Sequence, residues 1–286
     1  MAEQLAASLV DGLLIGFVYG IAAMGLTLIW GVVKVINLAH GAIIALAMFG
    51  LYYLVAWAGL NAYLALPFVA AGGLLLGYVV YMVAVHRVID APPLASLLAT
   101  FAVNMIIIGT ATAVFTTSPH SVNFSLGSLR AGPISVAATR IVASLATGAV
   151  AAGLYLFLYR SATGRAIRAV ANNRAAAELM GIASGRVLAL SFGIGTMLAA
   201  AAGGLIATFF PFTILSGEVY QLKSFVIVVL GGLGNPLGAL VGGLLLGGLE
   251  GLIPVFTSPS WIPVIEFVLF VAILLVRPSG LFGARR

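Results

Sequence analysis

Between Asp11 and Lys34 the chain reads GLLIGFVYGIAAMGLTLIWGVV, without a single charge. Coiled as an α-helix, a run of about 20 apolar residues matches the hydrocarbon thickness of a bilayer. Water does not reach the bilayer centre, so each backbone N–H and C=O must find its partner inside the segment, and a helix provides that. Comparable runs cover about 8–30, 38–57, 64–85, 94–116, 139–159, 187–210, 220–234, 237–253 and 261–276. The stretch 220–253 also reads as one span plus a re-entrant piece. A transmembrane barrel would instead show strict alternation in segments of ~10 residues. Charged residues are 7% of the chain and apolar ones 63%, against roughly 25% charged in soluble domains. The expectation is an all-α polytopic transmembrane bundle of about eight or nine spans, with interrupted helices, forming a single domain over 1–286.

Basic residues set the orientation, because they concentrate on the cytoplasmic side. The segment 159–186 holds Arg160, Arg165, Arg168, Arg174 and Arg186, and the tail RPSGLFGARR adds Arg277, Arg285 and Arg286. With these inside, Lys34 and Arg87 are inside too, leaving Arg130, Arg140 and Lys223 outside. Nine spans then put the N-terminus outside. The net charge of +6 is this bias; a nucleic-acid partner would need a basic patch on a soluble face, which is missing. The opening MAEQLAASLVDGLLIGF has Glu3 and Asp11 but no basic cluster, so no signal peptide is expected. Cysteine is absent, which removes disulfides and thiolate metal sites.

Three features rise above a plain bundle. In VINLAHGA, Asn37 and His40 stand beside Gly41 inside an apolar run, and buried polar groups cost free energy unless satisfied. Broken helices at midplane commonly form transport sites; the alternative is that Asn37 and His40 bond neighbouring helices as structural glue. In VVLGGLGNPLGALVGG, Asn235, Pro236 and Gly238 make a second interruption: Pro236 removes a donor, and Asn235 can take the strained turn conformation such a break needs. Two interrupted segments, one in each half, point to a duplicated core, parallel or inverted. The third feature is GRAIRAVANNRAAAELMGI, rich in helix formers, starting at Gly164 and punctuated by Gly181. It suits a short cytoplasmic helix docked in a partner's groove or resting on anionic lipid.

Gly12, Gly16 and Gly20, and Gly243, Gly247 and Gly251, recur every four residues, a pattern that lets membrane helices approach closely. The stretch 116–140 reads as an outer loop with a short hairpin. Glu250 and Glu266 fall near the outer ends of their spans, where interfacial positions suit them better than a proton relay. His40 lacks metal-ligand neighbours, since His86 and His120 are not at ligand spacing. The nearest approach to a Walker A motif, GEVYQLKS, has Leu222 where the second glycine must be. No catalytic motif appears, so any nucleotide energy must come from another chain.

Taken together, GLTLIWGVVKVINLAHGAIIALAMFG, GRAIRAVANNRAAAELMGI, VIVVLGGLGNPLGALVGGLLLG and RPSGLFG resemble, in order and spacing, the branched-chain amino-acid permeases of ABC importers. The length is similar to the shorter of the paired permeases, the LivH type. The resemblance implies the following partners: a second permease of LivM type or a second copy of this chain, two cytoplasmic ATPase subunits that hold ATP and magnesium, and an external solute-binding protein. It implies no cofactor on this chain, and a bacterial inner membrane location. It assigns path-lining roles to Asn37, His40, Gly41, Asn235, Pro236 and Gly238, and ATPase coupling to Gly164, Arg165, Arg168, Ala176, Glu178 and Gly181. The segment VHRVIDAPPLASLLATF departs from the family pattern, with Asp90 and Pro92–Pro93 where a more basic segment is usual. Urea or short-amide permeases look much alike, and a stand-alone carrier coupled through Glu250 or Glu266 is the competitor from another class.

Overall fold

The computed structural model describes residues 1–131, 134–277 and 280–282. Eleven α-helices dominate them: α1 (Ala2–Val33), α2 (His40–Ala56), α3 (Ala62–Val80, continued by a π-helical turn to Val85), α4 (Pro93–Phe115), α5 (Ala138–Arg160), α6 (Ala162–Asn172), α7 (Arg174–Leu179), α8 (Ser184–Ala207), α9 (Ser216–Gly231), α10 (Pro236–Phe256) and α11 (Ile262–Val276). Seven are long and apolar enough to cross a membrane; α2 and α9 are shorter. All nine expected spans are therefore helices, and α6 and α7 form the arginine-rich segment, whose charge assigns it to the inner end.

The pairings come in matched sets. α1 runs along α10 as α3 runs along α8; α2 leans on α8 as α9 leans on α1; α2 touches α3 and α4 as α9 touches α10 and α11. With the arginine-rich segment inside, α1 descends and α8 ascends, so α1–α4 and α8–α11 correspond in opposite orientations, with α5 between them. α8 is buried along almost its whole length.

Glycine sets the tightest of these contacts. A Cβ on Gly12, Gly16, Gly243 or Gly247 would overlap the backbone of the facing helix, so α1 and α10 touch main chain to main chain. Lipid tails are as apolar as leucine, and such close packing supplies the attraction that the hydrophobic effect cannot. Between α1 and α8, Gly25 and Gly195 do the same.

The breaks differ in detail from the sequence expectation. α1 continues through Gly31 and ends at Lys34, which takes the left-handed C-cap conformation (φ 59°) and donates its N–H to the Trp30 carbonyl. Lys34, Asn37 and His40 thus share no helix face. In the second interruption the left-handed positions are Gly232 and Gly234 (φ 92° and 82°). Asn235 is extended there and caps α10, its Oδ1 accepting from Gly238 N–H at 3.1 Å. Pro236 occupies the first helical position, where its missing N–H costs nothing. It starts a helix rather than kinking one. Leu281 N–H donates to the Leu230 carbonyl at 2.9 Å and Asn235 Nδ2 to Phe282 O at 3.2 Å, so the tail straps this turn. Pro278, Ser279 and Gly283 of the quoted tail, with Arg285 and Arg286, lie outside the described residues.

At the outer end, strands β1 (Ser128–Ala131) and β2 (Ile134–Ala137) form the expected antiparallel hairpin. His120 and Phe212 exchange backbone hydrogen bonds of 2.8 and 2.9 Å, fixing the segment after α8 beneath the outer loop.

Candidate functional site

Helices α2 and α9 start deep in the bundle and meet there. After α1 ends, residues 34–39 run back along it, and His40 Nε2 lies 3.0 Å from the Ala22 carbonyl. Ala22 is eleven residues short of the end of α1, about 16 Å back along the axis. On the other side the chain returns after α8 through 208–215. Gly203 of α8 sits against Ile44, about one turn beyond Gly41, so α8 continues outward past the point where α9 begins. Gly41 and Gly217 then touch: a Cβ on either would overlap the other's carbonyl oxygen. Gly41 N–H donates to Gln221 Oε1 at 3.2 Å. The crossing brings two helix N-termini, each with partial positive charge, face to face inside the bundle.

Side chains brace the first turn. Leu38 N–H donates to Thr100 Oγ1 at 3.3 Å, and the Thr100 hydroxyl donates to the Ile36 carbonyl at 2.9 Å. Ala39 N–H donates to Asn37 Oδ1 at 3.1 Å. Asn37 and His40 are fully buried, and Asn37 Nδ2 and His40 Nδ1 have no partner among the described residues. Neither Asn37, His40 nor Gly41 lines the chambers described below. Thr100, Gly217 and Gln221 were missed from sequence. Gly217 and Gln221 fall within the failed phosphate motif, and nothing local marks Thr100.

Asn235, Pro236 and Gly238 lie elsewhere. Gly31 rests on the Cα of Gly234, nine residues further along α1 than Ala22, about 13 Å nearer its inner end. The two polar sets are therefore not one cluster. Asn235 and Pro236 border an inner chamber of about 280 Å³ between α1, α5, α6 and the α9–α10 turn. Gly238 packs on Gly231. At the opposite end an outer chamber of about 290 Å³ is lined by Thr139, Arg140, Thr208, Phe209 and Phe210; Arg140 also pairs with Asp11.

The arginine-rich segment forms two helices joined at Asn173, which caps the second through Ala176 N–H at 3.0 Å. Ile167 and Val170 of α6 are buried against the bundle. Gly164 sits on the Phe157 and Leu158 carbonyls. Arg168 folds back as well: its Nε donates to the Leu158 carbonyl at 3.1 Å and its guanidinium lies over Tyr159. Arg165 and Ala176 are exposed. Arg174 holds Asp90 at 2.8 Å and Glu178 at 3.1 Å, so the acidic residue of the α3–α4 loop finds a basic partner on α7. Hydrogen bonds from Ser184, then from Arg174, hold the Glu178 carboxyl below the usual range. Gly181 takes a left-handed turn (φ 81°). Between these ties Leu179 and Met180 stand 89% and 82% exposed.

Glu250 and Glu266, expected near the outer ends of their spans, share a partner in Lys223, which the sequence reading counted only as an outer basic residue. Lys223 is buried in α9, 2.7 Å from Glu250 of α10 and 2.7 Å from Glu266 of α11, over the Tyr19 ring. Two spans that each carry one acid share one cation, which lowers the cost of burying all three. Among the described residues no cluster of three metal-ligating side chains occurs.

Residues 8–274 match the family described as branched-chain amino acid transport system, permease component. The chain is 30% identical to the high-affinity branched-chain amino acid transport system permease protein LivH of Salmonella typhimurium, over 96% of this chain and 94% of that one. It is 30% identical to the corresponding protein BraD of Pseudomonas aeruginosa over the same shares. A probable branched-chain amino acid transport permease protein LivH of Methanocaldococcus jannaschii is 27% identical over 91% of this chain and 87% of its own. No solved structure matches.

Proposed function

This chain belongs to the family of branched-chain amino acid transport permease components, and from that premise we propose that it is the membrane-spanning subunit of an ATP-driven importer for branched-chain or other hydrophobic amino acids. The observation that carries the reading is the crossing of α2 and α9 at Gly41 and Gly217. Two half-helices that end on each other form a barrier that a small relative movement of the two matched helix sets opens. Their N-termini attract a carboxylate, and the apolar walls suit an aliphatic side chain. In the closed arrangement Asn37 and His40 brace the barrier from behind, and Asn235 with Pro236 borders the inner side of the path.

Two ATPase subunits on the cytoplasmic side would grip the exposed Leu179–Met180 tip. Force applied there reaches α8 directly through Glu178 and Ser184, and the α3–α4 loop through Arg174 and Asp90. The work comes from the ATPases binding the two bundle states with different strength. A second permease, of LivM type or a copy of this chain, and an external binding protein complete the assembly in the bacterial inner membrane. The Salmonella and Pseudomonas relatives are each named as the permease protein of a transport system, which favours a subunit over a carrier working alone.

The test is reconstitution with candidate ATPases, second permease and binding protein encoded beside it. ATP-dependent uptake of labelled leucine, absent when any ATPase is omitted, is expected. Uptake of urea in preference to leucine, or leucine uptake driven by a proton gradient without ATP, would overturn the reading.

A further inference from the structure

The inner chamber has chemistry of its own. One wall is α6: Arg168 and Asn172 border it. Arg168 spends its Nε on the Leu158 carbonyl, while its terminal nitrogens make no ion pair among the described residues. Another part of its lining is the last turn of α1, with Gly31 and Val32. Carbonyls of a final helical turn lack intrahelical donors and carry the negative end of the helix dipole. Met24, Leu28 and Leu154 supply an apolar surface between these poles. Thr27 also borders the chamber, fully buried, and its hydroxyl has no partner. At about 280 Å³ the space is just below the usual range for drug-sized ligands, which suits a single amino acid.

We propose that this chamber binds an apolar zwitterionic amino acid from the cytoplasmic side, its carboxylate on Arg168 and its ammonium against the end of α1. The assignment of the ligand rests on the transport reading above. An occupant ties α6 to α1 and to the α9–α10 turn. α6 leads directly into α7, whose tip is offered to the ATPases, so a filled chamber resists the movement that couples ATP hydrolysis to opening. Accumulated product thereby slows its own import.

The test uses the assembled transporter in vesicles with the ATPase face outward, leucine being added to that face while ATP hydrolysis is followed. Hydrolysis should fall saturably, by about fivefold, the scale of ordinary allosteric coupling. Arg168→Lys, which keeps the charge but loses the planar fork, and Thr27→Val should each raise the half-inhibiting leucine concentration about tenfold, the loss of roughly one hydrogen bond. Each is scored against its own leucine-free rate, and equilibrium binding of labelled leucine to the same preparation should weaken in parallel. The deaminated analogue 4-methylpentanoate should inhibit at least about tenfold less well, having lost a pole of the helix-end interaction. Equal potency would overturn the zwitterion assignment. Normal receptor-driven uptake with no response to leucine at the ATPase face overturns the inference and leaves the transport reading intact. Failure of receptor-driven leucine uptake itself overturns that reading, and the inference with it.

Discussion

Replacing Lys223 by methionine removes the one cation that two carboxylates share inside the bundle. The lysine and Glu266 side chains are 7% and 9% exposed, Glu250 23%, and both bonds are 2.7 Å. Taking one partner out of a buried pair leaves an uncompensated charge and costs about 3–5 kcal/mol. Here the loss leaves two like charges facing the same space, so the upper part of that range is expected. Removing an acid is different: Glu266→Gln or Glu250→Gln leaves one cation with one anion, and the change should stay within about 1 kcal/mol, the worth of an ordinary hydrogen bond. For a chain of this size each kcal/mol moves the melting temperature by roughly 2–4 °C. Thermal unfolding in detergent, followed by loss of the monodisperse peak, should therefore drop by roughly 10 °C for Lys223→Met and by only a few degrees for either glutamine variant. The triple variant Lys223→Met, Glu250→Gln, Glu266→Gln should recover most of the loss. A lysine variant as stable as the native chain, or a triple variant no better than the single one, would refute the shared-cation argument.

Gly247→Leu should prevent α1 from lying on α10, because even a Cβ at this position overlaps the Gly12 and Gly16 backbone; loss of more than about 4 kcal/mol should appear as failure to accumulate folded chain in the membrane. Asn37→Ala and His40→Ala should lower the maximal rate of leucine uptake while leaving its half-saturating concentration unchanged, since both side chains brace the crossing from behind; a shift confined to half-saturation would put them on the path instead. The Glu178 carboxyl is held low by Ser184 and Arg174, so its contribution to the α7–α8 corner is complete above the ordinary glutamate value, about 4.3, and is lost as pH falls through the lowered one. A spin label at Ala183→Cys should accordingly show the same mobility at pH 8 and pH 6 and loosen only in stronger acid.

Apolar runs give away spans because a bilayer admits so few backbone solutions, and all nine expected spans are helices. The hairpin and the helical character of the arginine-rich segment were legible for a similar reason, since Gly, Pro and Asn punctuate them, but the single short helix expected there is two, divided at Asn173. What the sequence could not carry was pairing across distance. Lys223, Glu250 and Glu266 looked like three separate interfacial charges, since nothing local records that α9, α10 and α11 turn them toward one point. The crossing at Gly41 and Gly217 was half visible. The polar run around Asn37 marked one break, but the other begins after the apolar FFPFTIL, whose polarity betrays little. At the second interruption the residue types were right and their roles were exchanged: the glycines took the left-handed turns and Asn235 became the cap.

The central claim, that force enters through the exposed tip between α7 and α8, is tested most directly by a chemical map of that tip. The chain has no cysteine, so Met180→Cys is a unique probe. In sealed inverted vesicles it should react with a membrane-impermeant maleimide, and in the assembled transporter it should cross-link to an ATPase subunit in a yield that changes with bound nucleotide. Labelling only from the periplasmic side, or cross-linking to no ATPase under any nucleotide condition, would contradict the account.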